Sequence, residues 1–206
     1  PDLGTALAIG GTIFILLFAA GAKISHLAGL GAAGVTGIIA AILYEPYRLK
    51  RLLAFSDPWA DPLNSGYHII QSLYAIGSGG LFGVGLGRSR EKFLYLPEPH
   101  TDFIFAILAE ELGFIGTATV IILFFLFAWR GLRVAIAAPD IYGSLLAAGL
   151  TTMIILQALM NIAVVTASMP VTGIPLPFLS FGGSALIFTM AGVGILLNIS
   201  RHVSMK

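Results

Sequence analysis

Long apolar segments separated by short polar turns make up almost the whole sequence. Six of them are about 15 to 22 residues long, close to the roughly 20 residues that a helix needs to cross a bilayer. The pattern predicts an all-α integral membrane protein with about six transmembrane helices. The predicted spans are Ala6–Ala20, Leu27–Tyr44, Tyr67–Leu86, Phe114–Trp129, Ser144–Val165 and Ala185–Ile199.

The composition agrees with a membrane protein. Of the 206 residues, 57% are hydrophobic and 10% are charged, against about 25% charged in a soluble domain. A net charge of +1 gives no reason to expect a nucleic-acid partner. Without cysteine there are no disulfides, and cysteine usage cannot indicate a compartment. The chain opens at Pro1 without Met or a basic signal region, so we expect residues 1–206 to be a single transmembrane domain of a longer protein.

Ionisable side chains are concentrated in residues 94–113, although the rest of the chain avoids charge. They are Glu98, His100, Asp102, Glu110 and Glu111. Ionisable groups beside apolar spans are costly and indicate a functional site by default. The alternative is structural, because Thr101 or Asp102 is a residue type that caps a helix beginning here.

Two segments are predicted to leave helical geometry. The third span contains Gln71, Ser72 and Ser78 and runs into glycine-rich residues 77–87, which disfavour a straight helix. Such backbone at membrane depth is either packed tightly in protein or lines a cavity, here one open to the outer face. The second segment, Met169–Ser184, contains three prolines that exclude helical geometry.

The positions of the basic residues predict an orientation. If the loop at Arg48–Arg51 is cytoplasmic, its side holds seven basic residues and the other side holds four, which favours this orientation under the positive-inside rule. The outer face then carries His100, Asp102 and the segment Pro170–Ser184. The seven are Arg48, Lys50, Arg51, Arg130, Arg133, Arg201 and Lys206, and the four are Lys23, Arg88, Arg90 and Lys92.

The run Leu96–Ala106, LPEPHTDFIFA, followed by Glu110–Gly113, resembles the signature of the SEDS family (shape, elongation, division and sporulation), to which FtsW, RodA and SpoVE belong. Pro177–Ser184, PFLSFGGS, resembles a second signature of that family. Tyr67, Gln71, Ser72 and the run Ala75–Gly80 also fit its pattern. The stretch from Tyr47 to Trp59 is more similar to the division and sporulation branches than to the elongation branch.

The resemblance implies the C-terminal six helices of a ten-helix peptidoglycan glycosyltransferase. Such an enzyme polymerises lipid II into glycan strands for cell-wall synthesis in division, elongation or sporulation. It would lie in the bacterial inner (plasma) membrane as a multi-pass protein, with its catalytic face outward. Its expected partners are lipid II and polyprenyl-linked glycan, a class B penicillin-binding protein, and divisome or elongasome proteins.

The resemblance also assigns site residues. Asp102 matches the family's essential aspartate and is the predicted base. Glu98 and His100 are predicted to orient it or to bind sugar or pyrophosphate. Arg88, Arg90 and Lys92 are candidates for pyrophosphate contact, with a solvated loop as the alternative. The remaining predicted substrate-binding residues are Thr101, Gln71, Ser78, Ser180 and Ser184.

Two other functions fit the same sequence. A cavity with polar groups at membrane depth also suits a transporter, here a lipid II flippase. A scaffold that recruits a penicillin-binding protein is the third reading. No cofactor is assigned with certainty, no residue is assigned to a metal, and a divalent cation is left open.

Overall fold

The computed structural model describes residues 3–89 and 101–203, and every regular element within these ranges is helical. This confirms the predicted all-α class. A short 3₁₀ helix at Pro58–Ala60 lies between the third and fourth α-helices. The α-helices are α1 (Leu3–Ala19), α2 (Ile24–Tyr44), α3 (Pro46–Ser56), α4 (Tyr67–Gly79), α5 (Ile104–Ala137), α6 (Ile141–Val165) and α7 (Gly183–Arg201).

Four of the described helices, α2, α5, α6 and α7, are long and apolar enough to cross a membrane. Helix α1 is a shorter apolar helix of 17 residues. Large apolar side chains project from these helices, among them Phe18, Phe125 and Phe188, which are 65%, 69% and 78% exposed. Surfaces of this kind are stable against lipid tails, which are as apolar as the side chains themselves. The chain is therefore a multi-pass membrane protein.

Helices α5 and α6 pack antiparallel through small side chains at the centre of the bundle. Gly131 of α5 lies so close to α6 that a Cβ there would be 2.2 Å from the Thr151 hydroxyl oxygen. Ala147 and Ala158 of α6 are also buried, at 0% and 2% exposure. Small residues let membrane helices approach closely and gain van der Waals contact. This pair forms the rigid frame for the remaining elements.

Helix α5 is interrupted at Gly113, whose φ of 65° and ψ of −163° are not helical. In an unbroken helix, the N–H groups of Phe114 and Ile115 would donate to the carbonyls of Glu110 and Glu111. The break separates these two donors from their two acceptors. Unpaired backbone groups at membrane depth each cost several kcal/mol, so other partners must replace them.

The glycine-rich loop 80–85 supplies all four partners. Its backbone inserts at the break and replaces the two lost hydrogen bonds with four. Two of these use N–H donors of the loop, and the other two use its carbonyl acceptors. This loop packs against α5 and does not line the large cavity described below, so the tight-packing interpretation of the glycine-rich run applies. The hydrogen bonds are Val84 N to Glu110 O (2.9 Å), Gly85 N to Glu111 O (3.0 Å), Phe114 N to Gly80 O (2.9 Å) and Ile115 N to Leu81 O (3.2 Å).

Helix α4 is shorter than the predicted third span and does not cross the bundle. It ends at Gly79, and 13 residues extend only about 20 Å at 1.5 Å per residue. His68 near its start stacks on Phe103, and Gly79 at its end meets Ala109. Helix α4 therefore runs beside the first part of α5 in the same direction, and both begin at one face of the molecule.

This arrangement corrects the predicted orientation count. The Arg51 side chain donates from Nη1 to the Val171 carbonyl at 3.1 Å, so α3 lies on the same face as the proline-rich segment. The prediction had placed Arg48–Arg51 on the opposite face from Asp102, because it counted residues 67–86 as a crossing. Since α4 does not cross, the basic residues of α3 and Asp102 share a face.

The second predicted non-helical segment is confirmed. Helix α6 ends at Val165 and α7 begins at Gly183, and the chain between them is extended or in turns. Leu176 is only 1% exposed and packs in the same apolar cluster as Phe103 and Val165. The segment is thus anchored to the start of α5.

Candidate functional site

Asp102 lies immediately before α5, where two polar side chains hold the backbone. The Asn161 side-chain nitrogen donates to the Asp102 carbonyl at 2.7 Å and to the Ile174 carbonyl at 2.8 Å. The Ser180 hydroxyl donates to the Thr101 carbonyl at 2.6 Å and accepts from the Leu176 N–H at 2.7 Å. Thr101 and Asp102 are therefore tied to both α6 and the segment 166–182.

The carboxylate of Asp102 faces Gly173 of this segment. A Cβ on Gly173 would lie 3.4 Å from Asp102 Oδ2, and Gly173 has a φ of 74°, a backbone conformation that favours glycine. The capping position of α5 is Phe103, which has no side-chain cap hydrogen bond. Asp102 lies one residue before that position, so it is not itself the N-cap residue of α5.

A cavity of about 710 Å³ opens beside Gly173, which forms part of its wall. The Asp102 carboxylate lies against Gly173 but does not itself line the cavity. One side of the cavity is apolar, with Leu7 of α1 and Ile38 and Ile42 of α2. The cavity therefore combines an apolar wall from membrane-spanning helices with the polar face at which α3 lies.

Two arginines of α3 supply positive charge to this cavity. Arg48 donates to the Ala41 carbonyl at 2.8 Å, and Arg51 donates to the Val171 carbonyl and to the Tyr47 hydroxyl. The Arg51 guanidinium also lies 4.5 Å from the centre of the Tyr47 ring. These contacts hold the guanidinium groups at the cavity, where their remaining N–H donors suit a phosphate.

His68 on α4 completes the polar surroundings of Asp102. Its ring stacks on Phe103 with 5.7 Å between ring centroids and 10° between the planes. Burial lowers the pKa of His68, the positive charge of Arg51 lowers it further, and the negative charge of Asp102 partly opposes both effects. Asp102, His68 and Arg51 thus interact electrostatically although they come from three different elements.

The structure brings together only some of the residues predicted from the sequence. Asp102, Thr101 and Ser180 meet at the start of α5, and Gln71 is a half-buried residue of α4. Ser78 donates to the Ala75 carbonyl of its own helix, and Ser184 is exposed in the first turn of α7. The predicted residues Glu98, His100, Arg90 and Lys92 lie outside the described residues.

Arg88 is separated from Asp102. It is exposed and lies beside Gly85, whose N–H donates to the Glu111 carbonyl. Glu111 is nine residues beyond Asp102, about 14 Å along a helix. Glu110 also lies at this level, where it is 2% exposed and accepts a hydrogen bond from Ser89. Arg88 as a pyrophosphate ligand stays a prediction.

Sequence reasoning missed His68, Arg48 and Arg51 as parts of the site. Their positions depend on the parallel course of α4 and α5, which no local pattern indicates. One signal was available for His68, because it shares a helix face with Ser72, Ala75 and Gly79 at spacings of four, three and four residues.

The described residues contain no group of three or more His, Asp or Glu side chains placed to hold a metal ion. The polar side chains that line the cavity are the guanidinium groups of Arg48 and Arg51, the hydroxyl groups of Tyr47 and Thr172 and the carboxyl group of Glu45.

Comparison with known proteins gives consistent matches along the whole chain. A family model described as cell cycle protein, for FtsW, RodA and SpoVE, matches residues 1–205. Stage V sporulation protein E of Bacillus subtilis is 56% identical over 98% of this chain and 55% of its own length. A probable peptidoglycan glycosyltransferase FtsW of Geobacter is 48% identical over the same shares. The chain thus spans about half the length of these curated relatives.

A similar fold occurs in a solved structure of a peptidoglycan synthase complex that coordinates polymerization and crosslinking. One chain of it matches this chain with a TM-score of 0.75 and 32% sequence identity. The match covers 100% of this chain and 57% of the other. The arrangement of helices and connecting segments is therefore shared with a component of that complex.

Proposed function

Since the chain belongs to the FtsW, RodA and SpoVE family of cell cycle proteins, we propose that it is part of a peptidoglycan glycosyltransferase that polymerises lipid II. The observation that supports this most directly is the position of Asp102. Its carboxylate lies against Gly173, which forms part of the wall of a cavity that has two arginines on one side and membrane-facing apolar helices on the other.

The reaction requires a base for the acceptor sugar. The acceptor hydroxyl oxygen forms a bond to the anomeric carbon of the donor sugar, and its proton passes to the Asp102 carboxylate. The bond between that carbon and the pyrophosphate breaks, and the pyrophosphate leaves with the electron pair, so the anomeric configuration inverts. A positioned carboxylate of this kind contributes about 10²- to 10⁴-fold to a rate.

The departing pyrophosphate requires positive charge. Arg48 and Arg51 line the cavity beside the segment that carries Gly173, and guanidinium groups bind phosphate oxygens through paired N–H donors. Among the described residues, we assign the contact with the pyrophosphate to these two arginines. The apolar wall formed by Leu7, Ile38 and Ile42 suits the first isoprene units of the lipid carrier.

The location and the partners follow from the same proposal. We place the protein in the bacterial inner membrane with Asp102 on the outer face. Among the described residues, Lys23, Arg130, Arg133 and Arg201 lie on the face opposite Asp102, Arg48, Lys50 and Arg51 lie on its own face, and Arg88 lies between the two, so the positive-inside rule favours neither orientation. We propose a class B penicillin-binding protein as partner, within the divisome or the elongasome, and the fold match to a component of a peptidoglycan synthase complex supports an assembly of this kind.

The test is lipid II polymerisation by the whole protein with its penicillin-binding protein, comparing native protein with Asp102→Asn. We expect the rate to fall at least about 100-fold while the complex still assembles. The control is Asp57→Asn, an exposed aspartate on the same face that accepts a hydrogen bond from the Trp59 N–H. It should retain the native rate.

Polymerisation by Asp102→Asn at the native rate would contradict the proposal. Precursor translocation across proteoliposomes, measured on the same preparations, would then separate the two other functions. Translocation that depends on the protein would indicate a transporter, and its absence would leave a scaffold for the penicillin-binding protein.

A further inference from the structure

His68 lies beside Asp102, but the mechanism above does not use it. The imidazole stacks on Phe103, the residue that follows Asp102, and Phe103 is only 2% exposed. Nδ1 of His68 is buried and has no hydrogen-bond partner among residues 3–89 and 101–203. A buried ring nitrogen without a hydrogen bond destabilises the fold, so its presence calls for a functional explanation.

The position of this ring is fixed by the packing of α4. His68 is on the same helix face as Ser72 and Ala75, which are both 0% exposed. The Ser72 hydroxyl donates to the Val165 carbonyl of α6 at 3.0 Å. These contacts fix the stretch of α4 backbone that carries the imidazole beside Phe103.

Charged groups on two other elements act on the ring. Arg51 of α3 and Asp102 before α5 both interact with it electrostatically, and Tyr67 on its own helix meets it edge-on at 6.3 Å. Burial first and Arg51 second lower the pKa of His68, and Asp102 raises it. The ring is therefore neutral at neutral pH and gains its charge only in acid.

We propose that His68 is a positioning residue for Asp102, acting through its stack on the adjacent Phe103 and weakening the carboxylate as a base when the ring is protonated. An imidazolium beside a carboxylate stabilises the ionised form and lowers its affinity for the acceptor proton. His68 takes no part in the proton transfer itself. This inference rests on the proposed glycosyl transfer.

The first experiment is the pH profile of kcat/KM for lipid II polymerisation by the whole protein carrying His68→Gln. In native protein, activity should be lost as pH falls through the titration of both His68 and Asp102. In His68→Gln the acid limb should move to lower pH and become less steep, because glutamine does not titrate. We expect about a three- to tenfold lower rate at pH 7.5. His26→Gln, an exposed histidine at the far end of α1 and α2, is the control and should keep the native profile.

An acid limb of His68→Gln that superimposes on the native limb would overturn the proposal, even if the rate were lower throughout. A second measurement does not depend on polymerisation, so it remains decisive if the proposed activity fails. It is the NMR titration of His68 in native protein and in Asp102→Asn. Removal of the negative charge should lower the pKa of His68, because Asp102 raises it in the native site. An unchanged titration would show that the two groups are not coupled.

Discussion

Asn161 and Asp102 are 59 positions apart in the sequence and are joined by a hydrogen bond of 2.7 Å from the Asn161 side chain to the Asp102 carbonyl. The same nitrogen donates to Ile174, and Asn161 is only 1% exposed. One buried amide on a membrane helix thus holds both segments of the site. The backbone of the candidate base is therefore positioned by a residue of α6.

Replacement of Asn161 should therefore affect stability and activity together. Asn161→Leu removes two hydrogen bonds and leaves two carbonyls without this donor. The free energy of unfolding should fall by about 1–3 kcal/mol. We expect a lower melting temperature in detergent and a lower polymerisation rate. Asn198→Leu is the matched control, since Asn198 is exposed on α7. Equal melting temperatures for the two variants would contradict the assignment.

Ser180 should affect the reaction more than the fold. Ser180→Ala removes the hydroxyl that bonds to both the Thr101 carbonyl and the Leu176 N–H. The loss of one such hydrogen bond lowers the free energy of unfolding by about 1–1.5 kcal/mol. If this loss of free energy displaces Asp102 from its position in the transition state, kcat should fall about tenfold and KM should change little. Steady-state kinetics check this against Ser200→Ala, whose hydroxyl bonds only to its own helix. A native kcat would show that Ser180 does not position Asp102.

Arg51 should control substrate affinity. Arg51→Gln keeps a hydrogen-bond donor near Val171 but removes the charge, so KM for lipid II should rise at least about tenfold and depend less on salt. Lys50→Gln removes a charge from the neighbouring exposed position of α3 and serves as the control. The same rise in KM for both variants would indicate a general effect of surface charge.

The break in α5 should tolerate no side chain at Gly113. A Cβ there would lie 2.4 Å from the Gly83 nitrogen, and the φ of 65° strains any other residue. Gly113→Ala should lower the free energy of unfolding by about 2 kcal/mol or more, because it combines this backbone strain with displacement of the loop 80–85.

Two measurements check the Gly113 prediction. The melting temperature should fall relative to Gly10→Ala, since a Cβ at Gly10 would meet nothing within 4 Å. Amide hydrogen exchange at Phe114 and Ile115 should accelerate, because these two N–H groups donate to the inserted loop. Native exchange rates at these amides would show that the loop remains in place.

The periodicity and composition of the chain were sufficient to predict the helical class, the membrane location and most helix bounds. Apolar runs of membrane-spanning length have few alternative structures, because the bilayer requires every backbone group to be paired within the segment. The prolines of Met169–Ser184 likewise excluded a helix by local geometry. The cost of ionisable groups beside apolar spans singled out residues 94–113, and the family resemblance selected Asp102 among them.

The partners of Asp102 were decided only by the tertiary structure. Residues 67–86 have the length and hydropathy of a crossing, yet α4 ends at Gly79 because the loop 80–85 forms its hydrogen bonds with the break at Gly113. That exchange of backbone partners between distant segments places α4 parallel to the start of α5. It brings His68 and Arg51 to Asp102, and no property of the separate segments specifies it.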